Sequence, residues 1–117
     1  ENYATDFYDY NDFGIDYKLL KGQADFDPKQ EHCCMEGMLY VAYAMLQEGK
    51  AYEDHAHGDH EEVYYIISGC GAMTIGEETR EIRDGDAIYI PAGEMHSIAN
   101  RGKDFLVFLA FSSQTEP

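Results

Sequence analysis

The sequence predicts an all-β domain, because short runs rich in apolar, aromatic and β-branched residues alternate with turn residues. Residues 61–68 (EEVYYIIS) have the composition of a strand. Residues 71–82 (GAMTIGEETREI) predict a hairpin with its turn beginning at Gly76. Residues 87–90 (AIYI) predict a further short strand that ends at a turn.

Three other segments complete the predicted strands. Residues 16–21 (DYKLLK) and 104–111 (DFLVFLAF) predict the first and the last strand. Residues 37–46 (GMLYVAYAML) contain few β-branched residues, so periodicity alone does not distinguish a helix from a strand there. Their position just before a histidine-rich stretch favours a strand.

The histidine-rich stretch, residues 49–69, has the residue types that bind metal ions. His55, His57 and His60 precede the carboxylate of Glu62. Imidazole nitrogens and a carboxylate gathered this closely are typical ligands of first-row divalent metals. Because side chains alternate along a strand, His55 and His57 would point to the same side.

The strand that follows would place alternate residues in the interior. If Glu62 faces the histidines, Tyr64 and Ile66 face the same interior, whereas the intervening residues face outwards. Tyr64 is therefore our candidate for a catalytic phenol that moves a proton or hydrogen-bonds to a substrate. The alternative interpretation is an aromatic side chain that only fills the interior.

A second stretch, residues 85–100 (GDAIYIPAGEMHSIAN), predicts a tight corner between two extended segments. Pro91 fixes φ and Gly93 permits a positive φ, a combination typical of a sharp turn. Such a turn would direct the next extended segment, which begins with His96.

Together the two stretches resemble the sequence motifs of the cupins, which are small jelly-roll β-barrels. The first cupin motif, G-x5-H-x-H-x(3,4)-E-x6-G, is matched by Gly49, His55, His57, Glu62 and Gly69. The second, G-x5-P-x-G-x2-H-x3-N, is matched by Gly85, Pro91, Gly93, His96 and Asn100.

The resemblance implies a single cupin jelly-roll β-barrel with one divalent transition metal held by His55, His57, Glu62 and His96. Fe, Mn, Ni and Zn all suit these ligands, because raw affinity discriminates poorly among such ions. Four protein ligands leave open positions on an octahedral ion, as in a reactive metal site. The family also implies a homodimer.

Two classes of function follow from such a site. The first is a metal-dependent enzyme that acts on a small organic molecule, with dioxygenase-like, isomerase or lyase chemistry. The alternative is a cupin that binds or senses a small ligand without turnover. The only arginines that could reach a phosphate, Arg80, Arg83 and Arg101, are expected in loops, which weakens the case for a phosphosugar substrate.

The charge of the chain excludes some partners. Among its 117 residues, 23 are acidic and 8 are basic, which gives a formal net charge of −15. Nucleic acids and anionic membrane surfaces require basic patches, so we expect neither as a partner. Three cysteines and the lack of a long apolar run lead us to expect a cytoplasmic protein.

The predicted organisation is one domain with short extensions. Residues 1–15 form an acidic, aromatic N-terminal arm, residues 16–112 form the cupin β-barrel, and residues 113–117 form a polar tail. We expect the arm to be a frayed terminus that packs a few rings on the barrel, or else an arm that lies on a partner subunit. His60 is interpreted as a solvated loop histidine and Cys70 as a packed thiol.

Overall fold

The computed structural model describes residues 8–10, 14–23, 27, 29, 32–55 and 60–115, and only the backbone for residues 8–10, 14–18 and 53–55. These residues form eleven strands: Tyr8–Tyr10 (β1), Gly14–Gly22 (β2), Cys33–Met35 (β3), Met38–Leu46 (β4), Ala51–His55 (β5), His60–Ser68 (β6), Cys70–Ile75 (β7), Glu78–Arg83 (β8), Ala87–Ile90 (β9), His96–Asn100 (β10) and Leu106–Gln114 (β11).

The strands form two sheets. The larger sheet has the order β1-β2-β4-β11-β6-β9, and β3 also pairs with β2, in parallel. The smaller sheet has the order β5-β10-β7-β8. Strands that are neighbours in each sheet are often distant in sequence, as in a jelly roll. The predicted all-β jelly-roll fold is confirmed.

Apolar side chains from both sheets form one core between them. The alternation in β6 shows which face is inward: Tyr64 and Ile66 are 6% and 0% exposed, whereas Tyr65 and Ile67 are 43% and 42% exposed. This confirms the predicted facing of the strand. The core also contains Leu46, Leu106, Phe108 and Ala110 from the larger sheet, and Met73, Ile82 and Ile98 from the smaller one.

The segment whose secondary structure was ambiguous is a strand. β4 pairs with β2 on one side and β11 on the other. Ala42, Ala44 and Leu46 face the core and are at most 3% exposed. Pairing on both sides and burial of alternate residues outweigh the weak β-propensity of this sequence.

Both ends of the described chain extend the larger sheet. In the predicted arm, Tyr8–Tyr10 form β1 and pair with β2 at the edge of the sheet, rather than fraying. β2 confirms the strand predicted at residues 16–21, and β11 confirms the last strand but continues to Gln114. The remainder of the arm lies outside the described residues. In the described part of the chain, no helix has the length and apolar character needed to cross a membrane.

Candidate metal centre

Glu62 and His96 meet between the two sheets. Glu62 lies in β6 of the larger sheet and His96 begins β10 of the smaller one. Their side chains are 3% and 1% exposed, and Glu62 Oε1 is 3.3 Å from His96 Nε2. Two polar groups are thus brought together in an interior that is otherwise largely apolar.

The predicted corner directs His96 into this interior. The backbone N–H of Glu94 donates to the carbonyl oxygen of Pro91 over 3.3 Å, which closes a four-residue turn. Gly93 has φ of 82° at the third position of this turn, as a type II turn requires. β10 begins two residues after Glu94, so the turn sets the position of His96.

The same turn fixes the tautomer of His96. The Nδ1 atom of His96 lies 3.0 Å from the carbonyl oxygen of Glu94. Because a carbonyl oxygen only accepts, Nδ1 carries the proton and donates it. In the neutral ring, Nε2 therefore presents its lone pair to Glu62. Metal-binding histidines are commonly oriented by a hydrogen bond of this kind.

Tyr40 orients Glu62, the other residue of the pair. Its hydroxyl donates to Oε2 of Glu62 over 2.7 Å, so the second carboxylate oxygen, Oε1, is left facing His96. A hydrogen bond to an ionised carboxylate is among the stronger ones in proteins. Glu62 is thus held through Oε2 and His96 through Nδ1, and in each case this is the atom that does not face the other residue of the pair.

The separation of the two facing atoms suits two ligands of one cation. Charge-assisted N–H···O bonds are about 2.7–2.9 Å long, shorter than the 3.3 Å observed. Two ligand atoms about 2.1 Å from a shared ion are about 3.0 Å apart at a right angle and about 3.4 Å apart at a tetrahedral angle. The donor types and the spacing both fit a divalent transition metal.

The family model of the cupin domain matches residues 42–112, which is more than half of the chain. The chain belongs to the cupin family. The matched segment includes both β6 and β10, and so it includes the two strands that bring Glu62 and His96 together.

Several proteins are similar to this cupin. An uncharacterized protein of Methanocaldococcus jannaschii is 40% identical over 72 residues, which cover 62% of this chain and 58% of that protein. An oxalate-binding protein of Thermotoga maritima is 37% identical over 65 residues, with 56% and 54% covered. The glucose-6-phosphate isomerase of Thermococcus gammatolerans is 33% identical over 88 residues, with 64% and 47% covered.

A solved structure supports the same relationship. The crystal structure of a predicted oxalate decarboxylase from Thermotoga maritima has a TM-score of 0.73 and 28% identity to this cupin, and the match covers 86% of this chain and 80% of that chain. The three curated relatives are longer, and the cupin spans between 47% and 58% of their lengths.

The other two predicted metal ligands are described less completely. His55 is the last residue of β5 and lies directly opposite His96 in the β5–β10 register. His57 lies outside the described residues. Within the described ranges, no group of three or more His, Cys, Asp or Glu side chains is arranged to hold a metal ion. The four-ligand set of the cupin motifs therefore stays a prediction.

Tyr64, the predicted catalytic residue, lines the cupin interior next to His96. Its side chain is 6% exposed. The Tyr64 ring centroid is 4.8 Å from that of Phe108 and 6.2 Å from that of His96, with the histidine ring at an edge-on angle of 78°. These contacts are with rings, and the catalytic role of the Tyr64 hydroxyl stays a prediction.

Sequence reasoning missed two buried polar residues of the larger sheet, Lys21 and Ser112, and left the facing of Tyr40 undecided. Lys21, Tyr40 and Ser112 lie on one row of the larger sheet together with Glu62. The position of Tyr40 could have been found, because it alternates with the core residue Ala42 in a predicted strand. Ser112 continues the alternation of Phe108 and Ala110 but lies one residue beyond the predicted strand, and Lys21 is turned inwards by a bulge in β2. Both are 0% exposed.

Asn100, the last residue of the second cupin motif, ties the core to a loop. Its Nδ2 donates to the carbonyl oxygens of Leu46 and Asp104, each over 2.8 Å. Its Oδ1 accepts from the backbone N–H of Gly102 over 2.9 Å. The side chain is 2% exposed, so its role in the described structure is to satisfy backbone groups.

Two predictions about isolated residues are wrong. His60 is not a solvated loop histidine, because it begins β6 and is half-buried. Cys70 is exposed rather than packed, whereas Cys33 is buried. In both cases the residue lies at a strand end, where the sequence does not show how the neighbouring strand covers it.

A cavity of about 420 Å³ lies apart from the pair, between the β7–β8 hairpin and β9. Its lining includes Arg80, Ile82 and Tyr89, but neither Glu62 nor His96. Arg80 is already paired with Glu78 at 2.9 Å on the exposed surface. This cavity therefore does not bring an arginine to the candidate metal centre.

Proposed function

We propose that this cupin binds one divalent transition metal through His55, His57, Glu62 and His96. The observation that carries the proposal is that Glu62 Oε1 and His96 Nε2 face each other. In each side chain, the other polar atom is held by a hydrogen bond. The register position of His55 opposite His96 supports a third ligand from the neighbouring strand. Fe, Mn, Ni and Zn remain the candidate ions.

The proposed activity is a metal-dependent reaction of a small organic molecule. A bound divalent ion would supply Lewis-acid polarisation of a substrate oxygen. Glu62 and His96 would hold the ion, Tyr40 would orient the carboxylate, and the apolar core would exclude water. Tyr64 would donate or accept a proton at its hydroxyl.

The names of the related proteins favour lyase or isomerase chemistry over oxygenase chemistry. They include a predicted oxalate decarboxylase and a glucose-6-phosphate isomerase. One relative is named an oxalate-binding protein, which supports the second candidate function, binding of a small ligand without turnover. All three names describe oxygen-rich small molecules, which suit a hard or borderline divalent metal.

The first experiment is elemental analysis of protein purified without chelator and without a nickel column. We expect a metal content of about one ion per chain. Replacement of a proposed ligand, His96→Ala, should abolish the metal content. His32→Asn removes a histidine outside the pair, and asparagine tolerates the φ of 60° at that position, so this variant should retain the metal. Equal metal content in all three proteins would refute the proposal.

A second experiment separates the two candidate functions. The metal-loaded protein would be incubated with oxalate, and the release of carbon dioxide would be followed. Release that disappears in His96→Ala supports a lyase. Saturable binding of oxalate without release supports the binding function instead.

We also propose a homodimer that forms through the outer face of the larger sheet. Tyr65, Ile67 and Tyr89 on β6 and β9 are 43%, 42% and 56% exposed, which is unusual for large apolar side chains that lie side by side. Light scattering of Tyr65→Lys should show half the mass of the unchanged protein. The cytoplasmic location stays a prediction.

A further inference from the structure

The two sheets separate at one side of the fold, between β8 and β9. β8 is the last strand of the smaller sheet and β9 is the last strand of the larger one. In β8, Glu78 and Arg80 lie opposite Ile75 and Met73 of β7, so they share the inner face with these two side chains. The side chains of Glu78 and Arg80 are nevertheless 67% and 78% exposed. The larger sheet therefore does not cover this end of β8.

The cavity of about 420 Å³ lies in this gap. Its lining includes four apolar side chains that belong to the core or pack against it: Met73, Ile75, Ile82 and Ile88. Met73 and Ile82 are 3% and 5% exposed, whereas Ile75 and Ile88 are half-buried. Small organic ligands occupy cavities of about 300–1,000 Å³. An apolar group in this cavity would remove the exposed parts of Ile75 and Ile88 from water, which is favourable.

Ile75 and Ile88 also lie between the cavity and the candidate metal centre. Ile75 is directly opposite His96 in the β7–β10 register, and Ile88 is directly opposite Tyr64 in the β6–β9 register. Residues directly opposite each other project to the same face, with Cβ atoms about 4.5–5.5 Å apart. The cavity therefore begins one side chain away from His96 and from Tyr64.

We propose that this cavity binds the apolar part of the small ligand, and that Ile75 and Ile88 determine how large that part can be. The ligand is a monocarboxylic acid with an apolar chain of several carbons, whose carboxylate lies towards the metal centre. Glu81 and Asp86 also line the cavity, so a second carboxylate at the far end of the ligand would be repelled. This inference rests on the proposed binding of a small molecule at the metal centre.

The first test compares carboxylic acids of increasing length by isothermal titration calorimetry of the metal-loaded full chain. Each methylene that is buried should tighten binding about fourfold, so hexanoate should bind at least about tenfold more tightly than acetate. Adipate has the same number of carbons as hexanoate but a second carboxylate, and it should bind more weakly than hexanoate. Equal affinities for acetate and hexanoate would overturn the proposal.

Two substitutions of Ile88 locate the apolar part of the ligand. Ile88→Phe reduces the cavity, so hexanoate should bind about tenfold more weakly while the affinity for acetate stays the same. Ile88→Ala enlarges the cavity, so the bulkier cyclohexanecarboxylate should bind about threefold more tightly. Thr79→Phe adds a ring to the outer face of the same hairpin, opposite Thr74, and should change neither affinity. If Ile88→Phe does not fold, the Ile88→Ala result decides, and an unchanged affinity would overturn the proposal.

A metal-free measurement distinguishes the cavity from the metal site. Metal-free protein with labelled isoleucine methyl groups would be titrated with 1-hexanol, a neutral probe that needs no metal, and followed by NMR. The methyl signals of Ile75 and Ile88 should shift, whereas that of Ile67 on the outer face should not. If the protein binds no metal but these shifts occur, the metal proposal fails and the cavity stands. If it binds one metal ion but neither signal shifts, the cavity proposal fails and the metal site stands.

Discussion

The hydrogen bond from Tyr40 to Glu62 should contribute strongly to stability, and Tyr40→Phe removes it without changing the ring. The carboxylate that loses its donor is 3% exposed, so water cannot easily replace the hydroxyl. Hydrogen bonds to charged groups contribute about 1.5–3 kcal/mol. At a urea dependence of about 2 kcal/mol per molar, a loss of about 2 kcal/mol lowers the unfolding midpoint by about 1 M.

The chain contains a matched control for this prediction. The hydroxyl of Tyr89 donates to Glu61, the residue before Glu62, over the same distance of 2.7 Å. Tyr89 is 56% exposed on the outer face of the single chain, so water replaces its bond when Tyr89→Phe removes it in the Tyr65→Lys background, where the proposed dimer does not form. Urea unfolding of metal-free protein in that background, followed by circular dichroism, should show a lower midpoint for Tyr40→Phe and an unchanged midpoint for Tyr89→Phe.

Equal midpoints for the two phenylalanine variants would refute this reasoning, because burial alone distinguishes the two bonds. A double-mutant cycle tests the partner. In a Glu62→Gln background the acceptor is neutral, so Tyr40→Phe should cost less than in the unchanged protein. If Tyr40→Phe lowered the free energy of unfolding as much in that background as in the unchanged protein, Tyr40 would stabilise the fold through packing rather than through Glu62.

Three further predictions concern other parts of the fold. Asn100→Ala removes three hydrogen bonds, so it should lower the free energy of unfolding by about 2–4 kcal/mol in urea titrations, and a loss below about 1 kcal/mol would contradict this. Gly93→Ala forces a side chain into a positive φ and should destabilise the turn by about 1–2 kcal/mol, with lower metal affinity in competition titrations against a chelating dye. The hydrogen bond from Tyr89 to Glu61, with lesser effects of burial and charge, raises the pKa of Tyr89 above 10.0. Any stability from this bond is therefore present below pH 10.0 and lost as pH rises through the raised pKa, and NMR titration should show a lower pKa in Glu61→Gln.

Much of the fold could be predicted, because strand and turn residues act locally. The turn at Gly93 and the alternation in β6 both follow from short-range geometry, and the structure agrees with both. The approach of Glu62 to His96 was implied only by the family motifs. The two residues belong to different sheets, so no local pattern could have brought them together.

Whether the other polar residues face the interior depends on how the strands pair, and a sequence does not show this pairing directly. A strand pattern predicts the facing of Tyr40 once its neighbours are known to be buried. Lys21 is different, because the bulge after Lys18 reverses the alternation of β2. A regular strand would have placed this lysine outside, where a lysine is commonest.

The location of Glu62 and His96 on opposite sheets has a consequence for the choice of ion. The gap between their facing atoms depends on how far apart the sheets are held, and that distance is set by side chains such as Phe108 and Met73 in the core. Because protein interiors are tightly packed, an added methylene there would force side chains and backbone to shift, and the separation of the sheets would change with them. The packing of the barrel would thus determine which ionic radius fits the proposed site. Selectivity among metals would therefore respond to substitutions that touch no ligand.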